Sequence, residues 1–419
     1  MSALLKWLPA TFNSRSILVS LTGIMPVFRS AHGSKPIMSS INRRTCLQRI
    51  ALTVSAMSAA PMILPRLARA EEPLKPSDDQ AEAIAGIAGK FMAKHDVPGL
   101  SVAFAHLGKP AFRAGYGLAD QASGERMTGD HLFRIASISK PITAVAVFLL
   151  VEQGRLKLDD KVFGKTGHLA DFQDGDLAAD AEDITIHHLL THTCGGWRND
   201  GDDPMFRHPK LDHRELIART LRDQPLKNAP GKEYAYSNFG YCLLGRVIEK
   251  ISGKLYDGFV NEAILRRCGI QTMKLAGNTL ADRVPGEVVY HGRNGEDPYR
   301  MNVRRMDAHG GWLASPADLV KFLIHCDGSG NPDDRISKAS FKSMMTATQA
   351  NPGYASGWSV NAAPNFWHGG SLPGTATIAV QTASGMCWAG FANSRSKDVG
   401  SALDRLMWEM ARAVPEWKA

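Results

Sequence analysis

Ser137-Ile-Ser-Lys140, Tyr236-Ser-Asn238 and His368-Gly-Gly370 stand in this order along the chain. Together they supply a hydroxyl nucleophile, two groups able to accept a proton, and glycines that let a substrate come close to backbone. A serine hydroxyl is a weak nucleophile at neutral pH and needs a base beside it. In Ser137-x-x-Lys140 at a helix start, positions i and i+3 share a face with Cβ atoms about 5–6 Å apart. From Pro141 to Val151 the only polar side chain is Thr143, so the lysine enters an apolar helix. Burial there lowers the amine pKa and lets it accept a proton. The helix N-terminus also directs backbone N–H groups toward a developing oxyanion. The set points to acyl transfer through serine.

Each motif has a plainer reading. Ser137 alone could be a helix cap with a surface lysine, and a second S-x-x-K, Ser394-Arg-Ser-Lys397, reads as a strand-to-helix turn with a solvated Lys397. Asn238 alone could be an N-cap, and Tyr236 a packed aromatic. In the functional reading the phenol relays protons, and the Asn238 amide holds the substrate carbonyl and Lys140. His368-Gly369-Gly370 has two competitors, His106-Leu-Gly108 and His309-Gly-Gly311. It is preferred because Ser371-Leu-Pro-Gly374 follows and leads into a strand, as a sheet-edge binding turn should.

Several elements must position these residues. Ser77 and Gln80 form a capping box, so a helix should start near Asp78. Leu100, Val102 and Phe104 alternate as in a strand, and Gly108-Lys-Pro110 turns into a second strand ending near Leu118. Residues 158–184 are acidic and aperiodic, a solvated loop region. Helical patterns run from Ile186 to about Cys268. Strands return at 357–362, 375–382 and 386–392, and Val399, Leu403, Leu406 and Met410 mark a closing amphipathic helix. The expected fold is α+β: an antiparallel sheet of about five strands drawn from both chain ends, flanked by helices, with a mainly helical insert. The sheet part comprises residues 71–155 and 330–419, and the helical part 156–329.

Residues 1–70 read as an export leader. They hold nine Lys and Arg and no Asp or Glu, so without them the net charge falls from +8 to −1. The basic balance therefore gives no support for a nucleic-acid partner. Arg43-Arg44, the apolar run from Ile50 to Leu64 and Ala68-Arg69-Ala70 resemble a twin-arginine signal with a cleavage site, and Met38 is a candidate true start. The expected location is periplasmic or secreted, with no stable membrane span after cleavage. Five cysteines remain beyond the leader's Cys46, an odd number with irregular spacing, which speaks against a disulfide framework.

The three motifs, 99 and then 132 residues apart, resemble the β-lactamase and DD-peptidase superfamily of serine hydrolases. Supporting stretches are Leu156-Lys-Leu-Asp-Asp160, Ile184 to Thr193, Pro230-Gly231, and Gly310-Gly311 with Ser315 and Asp318. The resemblance covers residues 77 to about 415 and implies the fold inferred above. It makes Ser137 the nucleophile, Lys140 the general base and Tyr236 a second acid/base. It gives Asn238 the task of orienting substrate. His368 and Gly370 would line the edge strand, and the N–H groups of Ser137 and Ser371 would form the oxyanion hole. A small-molecule or peptide substrate and no cofactor follow. His368 stands where efficient β-lactamases carry Lys, and Cys194 where many relatives have Ser.

An ester or D-amino-acid amide or peptide is thus the favoured substrate, because imidazole is mostly neutral at pH 7 and attracts a carboxylate weakly. Should His368 meet a substrate carboxylate, turnover of such substrates would rise as pH falls through its pKa. Alternatives are a true β-lactamase or DD-carboxypeptidase, and a penicillin sensor that acylates once without turnover. A metal hydrolase using His188 and His192, four apart near Cys194 and Asp200, is a weaker one, since no Glu lies between the histidines.

Overall fold

The computed structural model describes residues 74–417, apart from 174–176, 178, 202 and 397. The leader, with Met38, Arg43-Arg44, Cys46 and the cleavage signal, lies outside the described residues, as does Lys397. Helix α1 (Asp78–His95) starts where its box predicts: Ser77 Oγ accepts from the Gln80 N–H, and Gln80 Oε1 accepts from the Ser77 N–H. It ends on Asp96 in the left-handed region. Strands β1 (Gly99–His106) and β2 (Lys109–Asp120) follow. Leu107 and Gly108, both with positive φ, close them in a two-residue turn whose twist suits a hairpin.

Eight more strands complete two sheets: β3 (Glu125–Arg126), β4 (Phe133–Arg134), β5 (Lys274–Leu275), β6 (Trp312–Ala314), β7 (Ser359–Val360), β8 (Phe366–Leu372), β9 (Thr375–Gln381) and β10 (Met386–Ala392). Among the described residues the main sheet has seven antiparallel strands in the order β3-β2-β1-β10-β9-β8-β7. Its centre pairs an early strand with a late one, Val102 against Gly390 and Phe104 against Trp388. Leu100, Val102 and Phe104 pack on one face against α1 and the closing helix, while Ala103 and Ala105 face the other core. That alternation is the period of two that the sequence carries.

Further helices that frame the site and the sheet are α2 (Ser139–Glu152), α3 (Asn238–Ser252), α4 (Pro316–His325) and α5 (Val399–Arg412). Of the 14 residues of α2, all but Leu149, Val151 and Glu152 are buried, so it runs through the interior and cannot fray into solvent.

The α+β architecture is as expected, with three differences in detail. The two strands of the main sheet beyond the expected five are β3, a two-residue edge too short to show in a hydrophobic pattern, and β8, while the strand expected at 357–362 is only the two-residue edge β7. The segment 156–329 is not only helical, since β5 and β6 pair with β4 in a second sheet. His368-Gly369-Gly370 is itself strand, the middle of β8, and the turn is Pro373-Gly374 beyond it. Two glycines and a histidine dilute the strand signal there.

Gly370 is required by packing. A Cβ on it would lie 2.2 Å from the Ile135 carbonyl oxygen and 2.3 Å from Thr377 Oγ1, whereas Gly369 has nothing nearer than 3.7 Å. Gly370→Ala should therefore destabilise the protein by about 1–3 kcal/mol, and Gly369→Ala should leave the thermal midpoint nearly unchanged. Equal midpoints for the two variants would show that β8 does not press on the Ile135 turn.

Candidate active site

Ser137 lies in the one-turn 3₁₀ helix Ala136–Ile138 that leads into α2. Ala136 before it has φ 50, a left-handed conformation that costs a non-glycine residue about 1–2 kcal/mol. The turn is held down from the sheet, where Thr377 Oγ1 donates to the Ile135 carbonyl at 3.0 Å. Lys140, one turn on, has no exposed surface. Its Nζ donates to Ser137 Oγ at 3.2 Å, to Asn238 Oδ1 at 2.7 Å and to the His309 carbonyl at 3.0 Å. Burial pushes the Lys140 pKa down to about 7, against the opposing field of Asp203.

Asn238 is not the N-cap of α3. Ser237 takes that role, its Oγ accepting from the Gly240 N–H, and this frees the Asn238 amide at the first helical position. Its Nδ2 donates to Asp203 Oδ2 at 2.8 Å, so the carboxylate fixes the amide with its oxygen toward Lys140. Asp203 is fully buried, and burial raises its pKa to about 6. It caps the short helix Pro204–Arg207 through the Met205 N–H at 2.9 Å. Arg305 ties that segment down by donating to the carbonyls of Met205 and His208.

Tyr236 completes the group. Lys140 Nζ stands 4.7 Å from its ring centre. Burial raises the phenol pKa, and a hydrogen bond with Ser137 offsets part of that. Around it stand His192 at 4.2 Å between ring centres, Tyr354 at 6.2 Å and His368 at 6.3 Å.

The partners of these rings assign their protons. His192 Nδ1 accepts from the Ser237 N–H at 3.1 Å, so its Nε2–H donates to Tyr354 Oη at 3.2 Å. His368 Nδ1–H donates to the Gly369 carbonyl at 2.7 Å, so its Nε2 accepts from the Tyr354 hydroxyl at 3.1 Å. Both imidazoles are neutral. Burial, reinforced by Lys140, pushes the His368 pKa down to about 3 and His192 well below its ordinary value.

This changes the reading of His368. The expectation of a protonatable imidazole meeting a substrate carboxylate does not fit a ring that is 5% exposed with both nitrogens engaged. Its place is behind Tyr236. The cation at the edge strand is Arg395, from the Ser394-to-Lys397 copy read as a solvated turn. Its Nη1 donates to Ser371 Oγ at 3.1 Å.

A cavity of about 250 Å³ opens onto Ser137, Asn238, Ser371 and Arg395, with apolar walls from Phe206, Met301, Met306 and Leu372. Ser371 pairs with Ala376, one step inside the Leu372–Thr375 pair that closes the Pro373-Gly374 turn. Antiparallel pairs alternate, so the Ser371 N–H points away from β9 toward the free edge of β8. Gly370 sits against the Ala136 turn. Ser137 and Ser371 are thereby brought to one cavity.

The structure thus brings Ser137, Lys140, Tyr236 and Asn238 together, with Ser371 and Gly370 beside them and His368 one layer behind. Gly369 is exposed on β8. Sequence reasoning missed Asp203, whose Asp-Pro step is an N-cap signal, and it missed the His309 carbonyl, the backbone of a motif set aside. His188 and His192 do not converge: His188 Nδ1 accepts from the Thr185 N–H, while His192 has left the helix with φ 57.

Comparison with known proteins agrees with this architecture. The β-lactamase family matches over residues 84–411. Esterase EstB of Burkholderia gladioli is 32% identical over 267 residues, covering 59% of this chain and 64% of that esterase. The chain thus spans just under two thirds of that relative. Penicillin-binding protein 4 of Amycolatopsis lactamdurans is 28% identical, covering 67% of this chain and 76% of that protein. The D-amino acid amidase of Ochrobactrum anthropi superposes with a TM-score of 0.68 at 22% identity, over 81% of this chain and all of its own, which shows the fold. The chain belongs to the β-lactamase family, within the superfamily of serine hydrolases that its three motifs resemble.

An amine must be neutral to act as a base, so kcat/KM for a neutral ester should rise as pH rises through about 7 and then level off. The Asp203 carboxylate favours the ammonium form. Asp203→Asn should therefore release the Lys140 proton at lower pH and move the acid limb of the profile down. An acid limb that stays in place would show that Lys140 does not feel this charge.

Proposed function

We propose that the protein is an exported serine hydrolase that cleaves an ester or amide bond through an acyl-enzyme on Ser137. The observation that carries this is Lys140 Nζ, buried and poised near neutrality, 3.2 Å from the Ser137 hydroxyl. Neutral Lys140 takes the serine proton as Oγ attacks the substrate carbonyl. The N–H groups of Ser137 and Ser371 receive the oxyanion. Tyr236, hydrogen-bonded with Ser137, passes a proton to the leaving group, and water then releases the acyl group by the reverse proton path.

For substrate, we propose an ester or a D-amino-acid amide or peptide, with weak β-lactamase activity at most. An esterase among the relatives and a D-amino acid amidase among the structural neighbours support this range. So does the site: the imidazole in place of a permanent cation is buried and neutral. The test is a panel of short-chain p-nitrophenyl esters, D-amino-acid anilides, D-Ala-D-Ala peptides and nitrocefin. Nitrocefin turnover as fast as the best ester would overturn the substrate assignment. Release of one equivalent of leaving group without turnover would indicate a sensor instead.

Ser137→Ala should abolish both hydrolysis and labelling by a fluorophosphonate probe. Lys140→Ala should cost on the order of 10³-fold in rate. Label found on Ser394 or a cysteine would displace the site. For export, Arg43-Arg44→Lys-Lys should retain the protein in the cytoplasm, and unchanged export would point to the general secretory route.

A further inference from the structure

The only charged side chain lining the cavity, among the described residues, is Arg395, and it is already occupied. Its Nε donates to Glu296 Oε2 at 3.1 Å, its Nη2 donates to Glu296 Oε1, and its Nη1 donates to Ser371 Oγ at 3.1 Å. A guanidinium has two two-pronged faces, Nε with Nη2 and Nη1 with Nη2; Glu296 holds the first and neutralises the charge, and Ser371 Oγ takes one donor of the second.

The pair is not a chance meeting of two long surface side chains. Glu296 follows Asn294-Gly295, both with positive φ, in a turn closed by its own N–H to the Arg293 carbonyl at 3.0 Å. Arg293 Nε donates to Ser394 Oγ at 3.0 Å, Ser394 Oγ donates to the His291 carbonyl at 3.2 Å, and the His291 N–H donates to the Asn393 carbonyl at 3.0 Å. The same loop packs on the pocket edge, since a Cβ on Gly374 would lie 2.6 Å from Tyr290 Cβ and 2.8 Å from Pro298 Cγ. Residues 290–298 thus clamp both the segment carrying Arg395 and the turn that ends β8.

We infer that Glu296 is the specificity-determining residue of this pocket: it holds the Nε–Nη2 face of Arg395 and cancels its charge, and so selects uncharged substrates over those bearing a carboxylate. This rests on the hydrolase reading above and deepens it. A substrate carboxylate meets an intramolecular competitor, whose effective concentration for a short tether is of millimolar order, and also meets its negative charge at the cavity mouth. Ser371 keeps its N–H for the oxyanion whichever carboxylate holds Arg395, so the selection acts on binding and leaves the chemistry in place.

The test uses two matched ester pairs. One is p-nitrophenyl butyrate and p-nitrophenyl hemisuccinate, charged on the acyl side. The other is the acetyl ester of methyl 4-hydroxybenzoate and that of 4-hydroxybenzoate, charged on the leaving group. Glu296→Gln should raise the ratio of kcat/KM, anionic over neutral, by about tenfold or more in at least one pair, as expected when a tethered competitor is removed. Arg395→Gln leaves Glu296 unpaired at the mouth and should lower that ratio below wild type. Glu296→Gln combined with Arg395→Gln should cancel the gain. The neutral ester in each pair reports folding. Ratios unchanged in both single variants, in protein that still labels at Ser137, would overturn the inference and leave the hydrolase reading standing. A wild-type protein that neither labels at Ser137 nor cleaves any ester would remove both.

Discussion

Everything in the site depends on keeping an amine in the interior. Removing a charged group from water costs several kcal/mol even after relaxation, and Lys140 has no exposed surface. Its three acceptors come from three parts of the chain: Ser137 from the turn before α2, Asn238 from the start of α3, and the carbonyl of His309 from the segment before β6. Thr143, a turn further along α2, donates to the neighbouring Ala308 carbonyl at 2.6 Å. The helix is therefore stitched to that segment at two successive carbonyls. Losing any one acceptor would leave the ammonium under-satisfied in a low-dielectric site, so the packing of α2 against its surroundings and the titration of Lys140 are one constraint.

The same burial explains why the aromatic groups near Tyr236 are wired as they are. A protonated imidazole at His192 or His368 would add a like charge beside Lys140 and oppose its ammonium form. The relay from the Ser237 N–H through His192, Tyr354 and His368 to the Gly369 carbonyl begins and ends on backbone groups that do not titrate. It has no source or sink for a proton, so it cannot serve as a proton wire. What it does is join the turn carrying Tyr236 to the strand carrying Ser371, with every ring nitrogen and hydroxyl satisfied.

The parts of this design that were legible in the sequence are those written locally. Ser77 with Gln80, the alternation Leu100-Val102-Phe104, and the unbroken apolar run behind Lys140 each specify an element within a few residues. The S-x-x-K spacing exposes the proposed nucleophile and base because i and i+3 must meet on any helix. What was hidden depends on contacts distant in sequence. Asp203 acts on Lys140 by its charge and through the Asn238 amide, 35 residues on, and no periodicity announces a side chain that acts at that remove. His368 sits in the right strand but the wrong layer, because alternation along β8 buries His368 and exposes Gly369 and Ser371. One step in register separates a substrate contact from a supporting ring. Arg395 was overlooked because its local context is a surface turn, and its meaning arises only where the 290–298 loop folds over it.

On the proposed reading, chemistry and selectivity are housed in different dielectric settings while sharing one strand. Lys140, the Asn238 amide and the aromatic shell are buried, where electrostatic interactions are strong and a single misplaced charge would be felt at Lys140. Arg395 and Glu296 lie at the rim, 27% and 37% exposed, where an isolated ion pair contributes little to stability. A weak contribution to stability is what a selectivity device can tolerate: exchanging the carboxylate on the Arg395 fork need not disturb the fold. β8 separates the two functions within adjacent positions. Gly370 is pressed on the Ile135 turn and fixes the distance between strand and Ser137, whereas Ser371, one residue on, faces the opening with its side chain on Arg395. A rigid contact and a variable one can stand side by side because successive residues of a strand face opposite ways.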